Sequence, residues 1–465
     1  MMTRRHFLTL PAATALAGLP LIGVAGTDTT DDFTVLQALA GKARLVPDDY
    51  PETAVWTFGG TVPGTPLRLK QGERLQRRFA NRLDQASSVH WHGIRIDNRM
   101  DGVSGLTQAA VEPGGQFLYD FVVPDAGTYW YHSHNRSWEQ MARGLYGSLI
   151  VEEAEAPQVD RDEVWLIDDW RLGEDAQIVN DFGQMMQMSH GGRTGNWLTV
   201  NGVGMDRFSQ TVKQHERLRL RLINTANASL FTLRLQGMQG KVVALDGQPL
   251  EQPEALGDVL LAPGQRADLL VDVMAAPGTE AQMLLVTGRD NIPIGRFPVQ
   301  GSQRSKPLPA PEALPANPLT PLAQIKDSPV TELRMQGGAM GSMRKAIYQG
   351  EEMHMRALVQ QGMAWAFNGV AGMTDEPLLT AQRGETVRIN MINDTSWPHG
   401  MHLHGHHFRE VLGADRFGPW RDTLLVQRGE SREIAFVADN PGDWLFHCHM
   451  LEHQAAGMKT WLKVV

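Results

Sequence analysis

Ten of the sixteen histidines, the only cysteine and one methionine fall into four short clusters. These are His90-Trp91-His92, His132-Ser133-His134, His399-Gly400-Met401-His402-Leu403-His404, and His447-Cys448-His449 running on to His453 and Met458. Side chains at i and i+2 of a strand leave the same face, so each His-x-His pair can hold its imidazoles toward one point while the middle residue points away. Four such pairs give eight convergent ligands. In the last pair the middle residue is Cys448, so its thiolate enters a second site on the opposite face, together with His453, Met458 and His399.

A single His-x-His pair is weak evidence of metal binding; four pairs with a Cys-His-Met tail are strong evidence. Zinc accepts His and Cys, but structural zinc sites close at four ligands and have no use for an axial methionine. Imidazole, thiolate and thioether together favour copper, in the ligand set of a blue-copper electron-transfer site. One peptide segment thereby joins two metal sites.

The chain repeats itself. Glu73-Arg74-Leu75 leads to Asn81, Glu216-Arg217-Leu218 to Asn224, and Glu385-Thr386-Val387 to Asn393, with Glu and Asn eight apart each time. In the middle copy Arg217-Leu218-Arg219-Leu220-Arg221-Leu222 alternates strictly, which predicts a half-buried strand. Nine and eleven residues after the Asn, the first copy has His90 and His92, the third has His402 and His404, and the second has Leu233 and Leu235. Gly127 stands five before His132 and Gly442 five before His447, with Ser133 in the place of Cys448. The first copy can therefore feed a shared cluster but not build the cysteine site. The second reads as a spacer, and its turn Pro263-Gly264-Gln265-Arg266 leads into one more apolar run.

A length of 465 residues is too great for one core and suggests about three domains. Composition shifts place boundaries near 155 and across 301–325, where six prolines from Pro307 to Pro321 make a semi-rigid connector. Many short strands, Gly and Pro turns and the repeat argue for an all-β chain of Greek-key β-sandwiches. With 43 Lys+Arg against 52 Asp+Glu, nothing favours nucleic acid. One cysteine excludes an internal disulfide. Thr3-Arg4-Arg5-His6-Phe7-Leu8, a modest apolar run with Pro11 and Pro20, and Gly23-Val24-Ala25 before Gly26 have the form of a twin-arginine export signal over 1–25. The two prolines make this stretch a poor spanning helix, so stable membrane insertion is not expected. The expected partner is the twin-arginine export machinery, and the expected home is the periplasm.

The four clusters resemble the copper motifs of the multicopper oxidases, the family of laccases and bacterial cuprous oxidases, over essentially the whole chain beyond the signal. Carried over by position, the resemblance implies that His399, Cys448, His453 and Met458 hold a type 1 copper and that His90 and His402 hold a type 2 copper. His92, His132, His134, His404, His447 and His449 would hold a type 3 pair, making four copper ions. It implies three cupredoxin-like domains, at 26–155, at 156–300 without copper ligands, and at 326–465 with the type 1 copper, the first and third clasping the cluster. The implied reaction couples one-electron oxidation of a phenol, an aromatic amine or Cu(I) to four-electron reduction of O2 to water.

Within that resemblance Cys448 is the electron path to His447 and His449, and Asp101, nine residues after His92, matches an acid that relays protons. Bacterial relatives often carry Glu immediately after the last type 1 histidine, where this chain has Gln454, which cannot ionise. Glu452 is not an obvious substitute. His6, His190, His215, His354, His406 and His407 are expected to be solvated or core. Met335, Met340, Met343, Met353, Met355, Met363 and Met373 form one thioether-rich group, and Met185, Met186, Met188 and His190 another. Thioethers select Cu(I), yet Met is also an ordinary core filler, and the intervals follow no single period. Two alternatives stand beside the oxidase. Copper nitrite reductase needs fewer histidines, and an envelope structural protein of the same fold would not need the full ligand set.

Overall fold

The structure, a computed structural model, describes residues 33–322, 325–326, 328–413 and 416–465. The export signal read over 1–25 lies outside them. The described chain is built mainly from strands that sort into three successive pairs of sheets, with a separate two-stranded hairpin of Lys345–Tyr348 and Glu351–His354.

One motif recurs in each pair. The repeat strands Arg74–Asn81, Arg217–Asn224 and Thr386–Asn393 lie beside a parallel partner, respectively Thr34–Ala43, Arg161–Trp170 and Val330–Gly337. On the other side each has an antiparallel partner, Gln116–Val122, Arg266–Val273 and Ser431–Val437. The Glu that opens each repeat accepts a hydrogen bond from the backbone N–H three residues before it, Glu73 from Lys70, Glu216 from Lys213 and Glu385 from Gln382, at 2.8, 2.7 and 2.9 Å. The Asn that closes it donates to a distant carbonyl, Asn81 to Val111, Asn224 to Leu261 and Asn393 to Val426. Its side-chain Oδ1 accepts from the N–H two residues on. The Glu–Asn spacing is thus a turn lock at one end and a loop anchor at the other, each satisfying backbone groups that burial would strand.

Opposite each of these sheets lies a second one. The first such sheet carries Val89–His92 and Gly127–Ser133 at one edge. In the last, His399–Leu403 pairs with Gly442–Cys448. Leu36, Phe79, Trp91, Phe121 and Tyr131 build the first core, Leu218, Leu220, Leu222, Leu269 and Phe297 the second, and Ile389, Met401, Phe436, Phe446 and Leu462 the third.

The middle repeat strand differs from the expectation of one solvated face, because all eight residues of Arg217–Asn224 are buried. The leucines enter the core, and the arginines press against other parts of the chain. Arg219 pairs with Glu153 and Asp268 at 2.7 Å each, and Arg221 meets Asp162 at 2.6 Å and Thr128 Oγ1 at 2.9 Å. Alternation specifies two chemically different faces, but the polar one can meet buried carboxylates as well as water. The proline-rich connector is pinned by the same strand, since Arg217 Nη2 donates to the carbonyls of Leu308 and Pro309 at 3.2 and 2.7 Å.

Candidate metal centres

The strand registers set the geometry. His90 stands opposite His132 and His92 opposite Trp130, while His402 stands opposite His447 and Met401 opposite Cys448. The histidines of each half share one face. Trp91 and Tyr131 on one side, and Met401, Leu403 and Phe446 on the other, turn into the cores. The two halves meet ring to ring, with His92 stacked on His402 at 3.8 Å and His90 on His404 at 3.9 Å between centroids. Ligand atoms of His90, His92 and His132, of His90, His402 and His404, and of His134, His404 and His447 lie within 4.8 Å of one another. His449 completes the group, its ring 4.9 Å from His92 and 5.4 Å from His132.

Most of these rings are held from behind. The Nδ1 atoms of His90, His132, His402 and His447 lie 2.8, 3.0, 3.0 and 2.9 Å from the backbone oxygens of Asp101, Ser133, Asp422 and Cys448. The Nε2 atoms of His90, His132 and His402 are buried with no hydrogen-bond partner among the described residues, as are Nε2 of His134 and both nitrogens of His449. His92 is turned the other way, with Nε2 at 3.3 Å from Asp422 and Nδ1 without a partner. Burial, reinforced by the neighbouring imidazoles, holds His92, His132, His134, His404, His447 and His449 well below the usual histidine pKa. Neutral rings anchored on one nitrogen, with the other nitrogen bare and pointing inward, fit a metal ion; a buried polar cluster without one would strand these groups.

Behind the cysteine lies the second centre. His399 Nδ1 and His453 Nδ1 are 3.1 Å apart, and Cys448 Sγ is 3.6 and 3.7 Å from them. Their outer nitrogens are fixed, His399 Nε2 at 2.8 Å from Thr395 Oγ1 and His453 Nε2 at 2.6 Å from the His190 carbonyl. Met458 is fully buried, and its carbonyl accepts from the Cys448 N–H at 3.1 Å. Burial pushes the Cys448 thiol up to about 12 and pulls His453 down to about 4. A thiol so placed needs a bound cation to ionise.

Asp101 is not a surface-loop residue. Its side chain is buried between the two halves, with Oδ2 3.0 Å from His404 Nδ1 and Oδ1 3.3 Å from His90 Nδ1. Glu452 is also buried; Oε1 accepts from Asn227 at 2.9 Å, and burial pushes its carboxyl up to about 7. Of the six remaining histidines, His406 and His407 are buried, His215 Nδ1 meets the Arg304 carbonyl, and His354 caps a short helix through the Ala357 N–H. His190 sits against Trp397, and His6 lies outside the described residues.

Three residues next to the cluster escaped the sequence reading. Asp422 touches both His92 and His402, and Arg266 grips Asp422 with two hydrogen bonds. Burial raises the Asp422 pKa and is the largest single effect, but Arg266, His92 and His402 together outweigh it and hold the carboxyl well below the usual range. Gly264, in the turn preceding Arg266, packs so closely that a Cβ there would lie 3.0 Å from His92 and 3.1 Å from His449. The middle segment is therefore more than a spacer, because its turn presses against histidines from both neighbours. The only sequence signal was the Pro-Gly turn itself.

Known proteins are similar to this chain in sequence and fold. Three family models described as multicopper oxidase match residues 40–156, 161–290 and 347–465. Multicopper oxidase MmcO of Mycobacterium tuberculosis is 30% identical, over 93% of this chain and 87% of its own length. Copper resistance protein A of Escherichia coli is 26% identical, over 96% and 97%. Among solved structures, Lac15 from a marine microbial metagenome shares 42% identity with TM-score 0.75, covering 92% of this chain and 99% of its own. A multi-copper oxidase from Pseudomonas thermotolerans shares 30% with TM-score 0.80, covering 93% and 98%. With three cupredoxin-like sandwiches, a histidine cluster between the first and third, and matches to all three domain models, the chain belongs to the multicopper oxidase family, enzymes that use copper to oxidise a donor at the expense of O2.

Proposed function

We propose that His399, Cys448, His453 and Met458 hold a type 1 copper, His90 and His402 a type 2 copper, and His92, His132, His134, His404, His447 and His449 a type 3 pair. The observation that carries this reading is the set of bare inward nitrogens backed by hydrogen bonds on their far sides. Bound copper supplies one-electron redox chemistry at the first site and four-electron reduction of O2 to water at the second. The chain's own residues connect and serve the two. Cys448 continues through the backbone to His447 and His449, so the ligand of one site is one peptide bond from ligands of the other. Asp101, beside His404 and His90, is placed to hand a proton toward the cluster. The domain limits 26–155, 156–300 and 326–465, the export signal at 1–25 and a periplasmic home complete the reading; among the described residues no helix is long and apolar enough to cross a membrane.

The donor is the finer question. His453 is fully buried beneath His190, which closes a short helix Met185–Ser189. The loop at Ala339 is tied to that helix by a 2.6 Å hydrogen bond from the Ala339 N–H to the Ser189 carbonyl. Two of the most exposed side chains here are thioethers, Met186 at 66% and Met340 at 78%. A buried ligand under a thioether-bearing cover favours Cu(I) as donor, since soft sulfur selects it. Met188, Met335 and Met343 do not extend this reading, because they are buried packing residues. A phenol or aromatic amine is the second reading, favoured by partly buried Trp397 and His190 at the same cover. Steady-state kinetics with Cu(I) and with a phenol on copper-loaded Met186→Leu/Met340→Leu decide between them. Cuprous oxidation should fall by about tenfold while phenol oxidation holds or rises; parallel change in both would reject the Cu(I) reading.

A further inference from the structure

The proline-rich connector is anchored at two points near its middle. Leu314 is buried and packs with Val243 and Leu270. The Asn317 side chain makes three bonds, Nδ2 donating to the Ala126 carbonyl at 2.8 Å and to Gln248 Oε1 at 2.9 Å, and Oδ1 accepting from the Ala126 N–H at 2.8 Å. Pro315, Pro318 and Pro321 stiffen the chain around these anchors. Between this stretch, the sheet-edge strand Gln248–Ala255 and the antiparallel pair Phe408–Gly413 and Arg416–Arg421 lies a cavity of about 520 Å3. A second cavity of about 260 Å3 adjoins it and shares Pro249, Leu250, Arg409, Phe417 and Trp420. The larger one falls within the range of small-molecule sites, roughly 300–1,000 Å3, and junctions between domains are where such sites gather. Because the connector is stiff and anchored, the space is preformed. Its walls share no residue with the cover over His453.

The chemistry of the walls selects the occupant. Leu250, Leu314, Leu319 and Pro321 make one side apolar, and Phe417 and Trp420 make the other aromatic. Arg409 stands directly opposite Trp420 in the strand register, and directly opposed residues project from the same face. Its guanidinium carbon lies 5.6 Å from the ring centre of Trp420 and 5.7 Å from that of Phe417, and its Nε donates to the Gly418 carbonyl at 2.6 Å. The cation is therefore fixed. Its acidic partner is not, because Glu251 Oε1 meets Arg409 Nη1 at 2.9 Å from a side chain that is 75% exposed, against 19% for the arginine. An ion pair so exposed on one side contributes little, so the carboxylate is exchangeable while the guanidinium stays. Glu251 marks, from the rim, the place where Arg409 accepts a carboxylate.

We propose that this cavity binds a flat aromatic carboxylate, its ring against Trp420, Phe417 and the connector leucines and its carboxylate on Arg409 in place of Glu251. Burial of the ring drives entry, and the guanidinium fixes the orientation through charge-assisted hydrogen bonds. A neutral arene of the same shape lacks the second contribution, and an aromatic cation meets Arg409 as a like charge.

A bromonaphthoate serves as the probe, because bromine scatters anomalously and the ring carries no phenol or amine for the copper sites to oxidise. It is soaked into crystals of the copper-loaded protein and titrated by calorimetry in solution. The expected result is bromine density in this cavity, with solution affinity about tenfold or more weaker in Arg409→Met, and equally weaker for the neutral bromonaphthamide on the parent protein, the scale of one charge-assisted contact. Glu251→Gln removes the competing carboxylate and should tighten binding about threefold; this exposed position decides the matter if Arg409→Met fails to fold. Bromine found only on copper or on the outer surface would overturn the proposal, as would density in the cavity without heat in solution, binding at crystal concentration only. Equal affinity of the parent protein for acid and amide, or no gain in Glu251→Gln, would also overturn it.

Discussion

Arg266 and Asp422 form a doubly hydrogen-bonded pair at 2.8 and 2.7 Å, and neither side chain has any contact with solvent. The arginine comes from the middle segment, which supplies no histidine to the cluster. The aspartate leads into Thr423, beside His402, and touches His92. The pair therefore ties the middle segment to the two histidines that stack across the interface. Arg266 Nε also donates to the Thr128 carbonyl at 3.1 Å, and Gln265 Nε2 to that of Thr423 at 2.9 Å.

Removing one partner of such a pair leaves a buried charge alone, at a cost of about 3–5 kcal/mol. Arg266→Met should lower the unfolding midpoint and loosen copper from the cluster while the blue colour of the Cys448 site persists. Gly264→Ala should act more locally, since its φ of +86° and the 3.0 Å approach to His92 both oppose a side chain. Copper content with optical and electron paramagnetic resonance spectra checks both variants. Loss of the blue colour in step with cluster copper would show that the turn supports the whole fold and has no special bearing on the cluster.

Proton supply gives a separate test. Asp101→Asn keeps the shape but removes the ionisable group lying 3.0 Å from His404. Reoxidation by O2 should slow by about a hundredfold or more, the usual scale of a lost acid–base group, while reduction of the Cys448 site by donor changes little. Rapid-mixing measurement of the two half-reactions separates them, and equal slowing of both would return Asp101 to a purely structural role.

Acid should weaken the copper-free protein. His406 and His407 sit near 4 because burial opposes their charged forms. Between about pH 6.5 and 4 the unfolded chain binds protons that the folded chain refuses, so stability falls as pH drops through this window, by on the order of a few kcal/mol for the two together. The cluster histidines shift in the same direction. Glu452, raised to about 7, works oppositely, gaining stability as pH falls from 7 toward the ordinary glutamate range; one carboxyl is outnumbered. Denaturant midpoints of the copper-free protein at pH 7 and pH 4.5 check the sign, and equal midpoints would contradict it.

The repeat and the cluster were legible in the sequence because both are local. A strand period of two fixes which of His90, Trp91 and His92 faces the core, and Glu73, Glu216 and Glu385 make the same three-residue bond wherever they occur. Asp422 and Arg266 were not legible because they are 156 positions apart and neither stands in a recurring pattern. The strand Arg217–Asn224 was half legible. Its alternation separated the leucines from the arginines, but it could not say that Glu153, Asp162 and Asp268 would cover the arginine face.

Counting copper by mass spectrometry, with electron paramagnetic resonance, in the parent protein and in Cys448→Ser tests the two-site account most directly. The account gives four copper ions per chain and a blue colour in the parent. In the variant it gives three copper ions, no blue colour, and retention of the type 2 signal. A colourless parent with full copper, or a Cys448→Ser variant that loses the cluster copper along with the colour, would contradict it.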